Sequence, residues 1–292
     1  MTRTELFDIL SSMTEDDYRA FSARLLPPGT NLLGVRLPKL RALAKTIIKQ
    51  NEHEAVLSML FDAENACFEE RILQAFLLAF SPCSLEKRLR RTERFVPLIE
   101  NWSVCDSFCA AFPVTKKNEA EIFSFVCTFA PSPAEFARRF AAVMLLDHFV
   151  SGEWLSQTLS TLQAISTEGY YARMAVAWAL SVCCVHDFEQ TKDILFSGAF
   201  DRETVRLTVS KCADSKRISP EQKKLLRKLY TDAALSSLQK NNKAQDICPA
   251  LYYFLGIFRF AAKKRRTKEK IWALVRPDLL SGDPRENRTP DY

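Results

Sequence analysis

Apolar residues recur at three- and four-residue spacing through most of the chain, in segments such as Glu69–Phe80, Pro133–Val150, Tyr170–Cys184 and Pro220–Tyr230. That period predicts amphipathic helices. The segments are separated by Ser81-Pro82, Ser132-Pro133, Ser151-Gly152, Thr167-Glu168-Gly169 and Ser219-Pro220. A serine followed by proline suits a helix start, because proline's missing N–H costs nothing in the first turn. Only 7 glycines occur among 292 residues. An α/β fold uses glycine at many strand-to-helix turns, so the scarcity favours helices joined by short polar loops.

Stacking the helices exposes an internal repeat. Arg36, Arg71, Arg139, Arg173 and Arg206 each open a similar apolar stretch, and successive gaps are 35, 68, 34 and 33 residues. The 68-residue gap is two periods, and its midpoint is Cys105. A period of about 34 residues with two helices per unit marks an α-solenoid, in which each unit buries its apolar face on its neighbours. A charged residue at the repeating position then forms a ladder along one side. A ladder of arginines would suit a polyanion such as DNA; the arginines could equally lie over their own helices and pair with nearby acids.

Charge is distributed unevenly. Residues 231–292 carry 12 Lys/Arg against 7 Asp/Glu, whereas residues 1–230 carry 29 against 28. A body that binds nucleic acid must therefore cluster its cations on one surface. Beyond Tyr230 a polar helix is expected over 231–243, then the aromatic run Leu251–Phe260 and the basic Lys263-Lys264-Arg265-Arg266. We divide the chain into a repeat domain, 1–238, and a basic extension, 239–292, expected to be partly disordered.

The 9 cysteines include no Cys-x-x-Cys pair, and the three histidines are far apart, so no zinc-ligand spacing appears. Reduced cysteines acting as small apolar residues fit a cytoplasmic protein. The N-terminus lacks a signal-peptide layout, and no apolar run reaches the ~18 residues of a membrane span.

Trp102 and Asp106, four residues apart, share one helix face. Trp178 lies mid-helix in a later repeat, and Arg139 stands in the ladder helix between them. Two aromatic faces and a carboxylate could hold a planar cation, or favour a reaction that develops positive charge. Taken singly, each tryptophan could be core and the aspartate a first-turn partner of the helix dipole.

Several stretches resemble the AlkD-like DNA alkylation repair family of HEAT-like repeat glycosylases. They are Gly34-Val35-Arg36-Leu37-Pro38-Lys39-Leu40-Arg41, Asn101-Trp102-Ser103-Val104-Cys105-Asp106, the octapeptide from Arg139 to Leu146, and Tyr170 to Leu180. The likeness covers about residues 5–230. It implies an all-α, right-handed superhelical solenoid of about six HEAT-like repeats with a concave DNA-binding face. It implies excision of cationic alkylated purines, of 3-methyladenine or 7-methylguanine type, by hydrolysis of the N-glycosidic bond. The catalytic positions it assigns are Asp106, Trp102 and Trp178: the tryptophans would pack against the lesion's deoxyribose and backbone, and Asp106 would stabilise charge on the sugar or position water. Arg139 would hold a nearby phosphate, with Arg173, Arg36 and Lys211 as further DNA contacts. The expected partner is double-stranded DNA, bound by a monomer without membrane, metal or organic cofactor.

One stretch departs from the family. Where active members carry a helix that approaches the damaged base pair, this chain has Leu25-Leu26-Pro27-Pro28-Gly29-Thr30-Asn31, and Pro-Pro-Gly cannot continue a helix. Two rival readings follow: a relative that binds DNA without base excision, and a HEAT-type protein-interaction scaffold.

Overall fold

A computed structural model describes the backbone of residues 1–241 and the side chains through residue 233. The expected segments Leu251–Phe260 and Lys263–Arg266 lie outside the described residues, as does nearly all of 239–292. Among the described residues there are fourteen α-helices and no strands. They are α1 (Arg3–Ser12), α2 (Asp16–Ala23), α3 (Leu37–Lys49), α4 (His53–Phe61), α5 (Phe68–Phe80), α6 (Leu85–Phe95), α7 (Trp102–Ala111), α8 (Glu119–Cys127), α9 (Glu135–His148), α10 (Leu155–Ala164), α11 (Tyr170–His186), α12 (Phe188–Leu195), α13 (Arg202–Asp214) and α14 (Pro220–Asn241). The chain divides into compact units at 1–214 and 215–292. The second unit contains α14, a single helix through the polar stretch after Tyr230, with the 238/239 junction inside it.

In the first unit the odd-numbered helices from α3 to α13 form one row: α3 packs on α5, α5 on α7, α7 on α9, α9 on α11 and α11 on α13. The shorter α4, α8, α10 and α12 pack against members of that row. Each of the ladder positions, from Arg71 through Cys105, Arg139 and Arg173 to Arg206, falls in a row helix, and Arg36 is the N-cap of α3. The period also reappears in the polar contacts. Arg139 bonds Asp106, 33 residues away, Lys87 bonds Glu54, 33 away, and Gln190 bonds Ser156, 34 away. A repeat that stacks on its neighbour must place equivalent positions in contact, which is what these spacings record.

Local signals set the helix ends. Thr2 closes a capping box with Glu5 on α1, and Ser84, Asn101 and Asp187 accept main-chain N–H bonds at the starts of α6, α7 and α12. Two buried arginines staple main-chain segments instead. Arg88 donates to the carbonyls of Leu78, Ala79 and Ser81 at the end of α5. Arg138 donates to those of Ser132, Pro133 and Glu168. Arg88 thereby satisfies orphan carbonyls at the C-terminus of α5 without solvent, while Arg138 ties together the loops that precede α9 and α11. Between the layers runs an aromatic core in which Phe108 meets Phe95 edge-on at 5.0 Å and Phe140 near-parallel at 6.0 Å.

The Pro-Pro-Gly stretch acts as expected. α2 stops at Ala23, and extended chain leads from Thr30 to α3. That chain is held by Glu69 of α5, which is fully buried and accepts the N–H groups of Leu33, Gly34 and Val35 at 2.8, 2.7 and 3.1 Å. Gly34 adopts φ +98°, and a Cβ there would stand 2.6 Å from the Cβ of Arg19. Only glycine fits such a turn beside such a neighbour.

Candidate functional site

The sequence around Asp106 builds its own helix start. Asn101 is extended and its side chain accepts from the Val104 N–H at 3.0 Å, so α7 begins at Trp102 and places Asp106 one turn further along. Asp106 is fully buried. Its two carboxylate oxygens receive Nε and Nη2 of Arg139 from α9 at 3.0 and 2.7 Å, and Arg139 is itself only 3% exposed. This is the planar, bidentate pairing that a guanidinium makes best. The third arm, Nη1, donates to the Tyr171 carbonyl at 2.9 Å in the first turn of α11. One side chain therefore joins three consecutive row helices.

Burial alone would lower the Arg139 pKa, but the Asp106 charge and its hydrogen bonds more than offset that and hold it above its ordinary value. Arg139, expected to hold a phosphate, is a buried guanidinium whose arms donate to Asp106 and Tyr171. Nearby, burial together with a hydrogen bond to Cys105 pushes the Cys109 thiol well above the usual range, so it is no thiolate at neutral pH. All eight described cysteines are free.

Trp102 is half-buried, and its indole N–H donates to the Leu25 carbonyl at 3.0 Å. The chain just after α2 thus reaches the first residue of α7. Nothing in the sequence signals this bond, since a main-chain carbonyl 77 positions away carries no residue-type signature. Trp178 is half-buried in the middle of α11, where its carbonyl accepts from Ser181. The structure brings Asp106 and Arg139 into contact and sets Trp178 on the helix that Arg139 also grips.

The other ladder arginines are paired. Arg36 bonds Glu15 at 2.7 Å and lies 4.8 Å from the Tyr18 ring centre. Arg71 folds back on its own helix pair, donating to the Leu60 carbonyl and Gln74. Arg173 faces Asp201 at 3.9 Å, and Arg206 pairs with Glu203. Lys211 lies half-buried in the last turn of α13. Arg36, Arg139, Arg173 and Arg206 thus each stand beside an acid, whereas Arg71 meets main-chain carbonyls and an amide.

Two acids carry no signal in the motifs above. Glu69 anchors the chain before α3, and Glu135 accepts the N–H groups of Tyr171 and Ala172 at the start of α11. Each lies about one period from its partners, so a search for acids one repeat away from a helix start would have found both. Among the described residues no three His, Cys, Asp or Glu side chains are grouped to hold a metal ion, and no helix is long and apolar enough to cross a membrane.

No curated protein and no solved structure matches the chain. A family described as DNA alkylation repair enzyme does match, over residues 8–199, a span from α1 almost to α13 that includes Trp102, Asp106, Arg139 and Trp178. With about two thirds of its length matched, and with the paired Asp106 and Arg139 inside the match, the chain belongs to the DNA alkylation repair enzyme family.

Proposed function

We propose that the protein binds duplex DNA as a monomer and excises cationic alkylated purines at the face formed by α7, α9 and α11. In this reading the row is a right-handed superhelix of about six HEAT-like repeats, and its concave side takes the DNA. Arg36, Arg173 and Lys211 contribute backbone contacts; Arg36 and Arg173 keep 47% and 32% of their side chains exposed beside their acid partners. The observation that carries the proposal is the Arg139 bridge, which holds Asp106 of α7 and the Trp178 helix in one register inside a DNA repair family.

The chemistry asks little of the protein. A cationic purine is already a good leaving group: the C1′–N bond breaks with its electron pair going to the base, and the base becomes neutral. Positive charge then builds on the sugar until water adds at C1′ and loses a proton. A desolvated carboxylate stabilises that charge more strongly than one in water. Asp106 supplies the carboxylate, Arg139 is its positioning residue, and Trp102 and Trp178 pack on the sugar and backbone. No deep pocket for a flipped base is needed when departure is this easy.

A second reading, DNA binding without excision, is favoured by a specific observation. Both Asp106 oxygens are occupied by Arg139, and Trp102 is tied to Leu25. The two readings separate on release of 7-methylguanine from methylated duplex DNA by the full chain. Excision predicts release that falls about 100-fold or more in Asp106→Asn. Because that change also leaves Arg139 buried without its counter-charge, Trp178→Ala, which leaves the ion pair intact, should show a comparable loss. Wild-type release no greater than that of Asp106→Asn would end the excision reading and leave binding alone.

A further inference from the structure

Many surface cations of the first unit are matched with acids. Arg36 and Lys39 share Glu15, Lys87 and Arg91 share Glu54, Lys116 meets Glu119 and Glu153, and Lys192 meets Glu189 and Asp193. The outward face of α3 gathers three cations on one stripe. The helix LPKLRALAKTIIK contains no acid. Arg41, Lys45 and Lys49 stand at successive four-residue steps on it, all exposed. Lys45 and Lys49 form no ion pair among the described residues.

Electrostatics within the helix does not favour such a stripe. Like charges at i and i+4 destabilise an isolated helix. The helix dipole rewards a cation only in the last turn, which accounts for Lys49 and for neither Lys45 nor Arg41. Arg41 is also held upright: its guanidinium carbon lies 4.8 and 5.5 Å from the ring centres of Phe76 and Phe80 on α5, which are themselves nearly parallel. A cation seated over aromatic rings is ordered before any ligand arrives. Between the charges lie Ala42 and Thr46, both exposed and too short to hold a rigid partner away.

We infer that the Arg41–Lys45–Lys49 face of α3 is a phosphate-backbone contact for duplex DNA, carrying the footprint to the N-terminal end of the row, away from the Asp106 pair. The inference rests on the DNA-binding reading above and adds a surface to it. A line of cations rising ~6 Å per step fits an extended polyanion rather than a single small anion. These contacts read charge and not sequence or lesion, so the face contributes equally to damaged and undamaged DNA.

The test is a salt titration of the full chain on an unmodified duplex of about 25 base pairs, comparing wild type with K45A/K49A. Removing one cation from a phosphate makes the slope of log K against log salt shallower by about 0.9, so the double variant should bind with a slope shallower by about 1.8. Its affinity loss between 50 and 200 mM salt should then be about tenfold smaller than that of the wild type. Lys116→Ala, which removes a cation already paired with Glu119 and Glu153, is the control and should leave the slope unchanged. All three side chains are exposed, so both variants should fold. An unchanged slope in K45A/K49A, with DNA still bound, overturns the α3 contact and leaves the DNA-binding reading standing. No salt-dependent binding by the wild type would overturn that reading and the α3 contact with it.

Discussion

Two fully buried carboxylates, Glu69 and Asp106, stand near the starts of neighbouring row helices, and the chain treats them in opposite ways. Glu69 is satisfied by three main-chain N–H groups of Leu33, Gly34 and Val35. Asp106 is satisfied by one side chain, Arg139. Backbone donors move only if the loop unfolds, so Glu69 is a permanent anchor. A guanidinium is a single partner, and its loss leaves a buried charge unpaired. Within one row, the first arrangement spreads the support of a buried charge over a loop, and the second makes it depend on one residue.

The largest test of this contrast is to break the side-chain pair. Arg139→Ala leaves the Asp106 charge buried and unpaired and should cost about 3–5 kcal/mol of unfolding free energy, read by urea denaturation. Replacing both members together, as Asp106→Leu with Arg139→Met, should return most of that stability while abolishing base release. If the double variant stays as unstable as the single one, the pair is architectural and the comparison with Glu69 fails. Glu69→Gln should cost about 1–3 kcal/mol, because an amide nitrogen then meets main-chain N–H donors with no acceptor to offer. No charge swap elsewhere should rescue it, since its partners are backbone.

Smaller effects sharpen the same distinction. Asn101→Ala removes the cap that starts the Trp102–Asp106 helix and should cost about 1 kcal/mol, or a melting shift of roughly 2–4 °C. The smallest effect concerns acid. Burial raises the Asp201 pKa, but hydrogen bonds from Thr167 and Thr204 outweigh it and hold the group at about 2. A carboxyl with a folded pKa below its unfolded value stabilises the fold above about pH 4, and that stability is lost as pH falls through about 2. Asp201→Asn should therefore flatten the pH dependence of unfolding between about pH 4 and 2. An equally steep acid transition in the variant would assign that dependence to other carboxylates.

Much of the scaffold was legible in the sequence, and the reason is local. Three- and four-residue apolar spacing, Ser-Pro starts and the 34-residue recurrence of arginines each depend on neighbours along the chain, and α5, α9 and α11 begin within two residues of the expected positions. The family likeness was legible for the same reason, being carried by short contiguous motifs. The fates of the arginines were not. Arg36, Arg139 and Arg173 occupy one repeat position, yet one is exposed on Glu15, one is buried on Asp106, and one faces Asp201 at 3.9 Å. Which acid stands opposite is set by a neighbouring element, tens of residues away.

What the sequence determined by itself, then, is the row of helices and the identity of the groups upon it: Trp102, Asp106, Arg139 and Trp178 in that order, with a Pro-Pro-Gly break before α3. Only the tertiary structure decided that Asp106 and Arg139 neutralise one another, that the Leu25 carbonyl takes the Trp102 N–H, and that Lys45 and Lys49 keep their charge unmatched among the described residues. Periodicity is a property of one helix. Pairing is a property of two, and it exists only once stacking has chosen the neighbour.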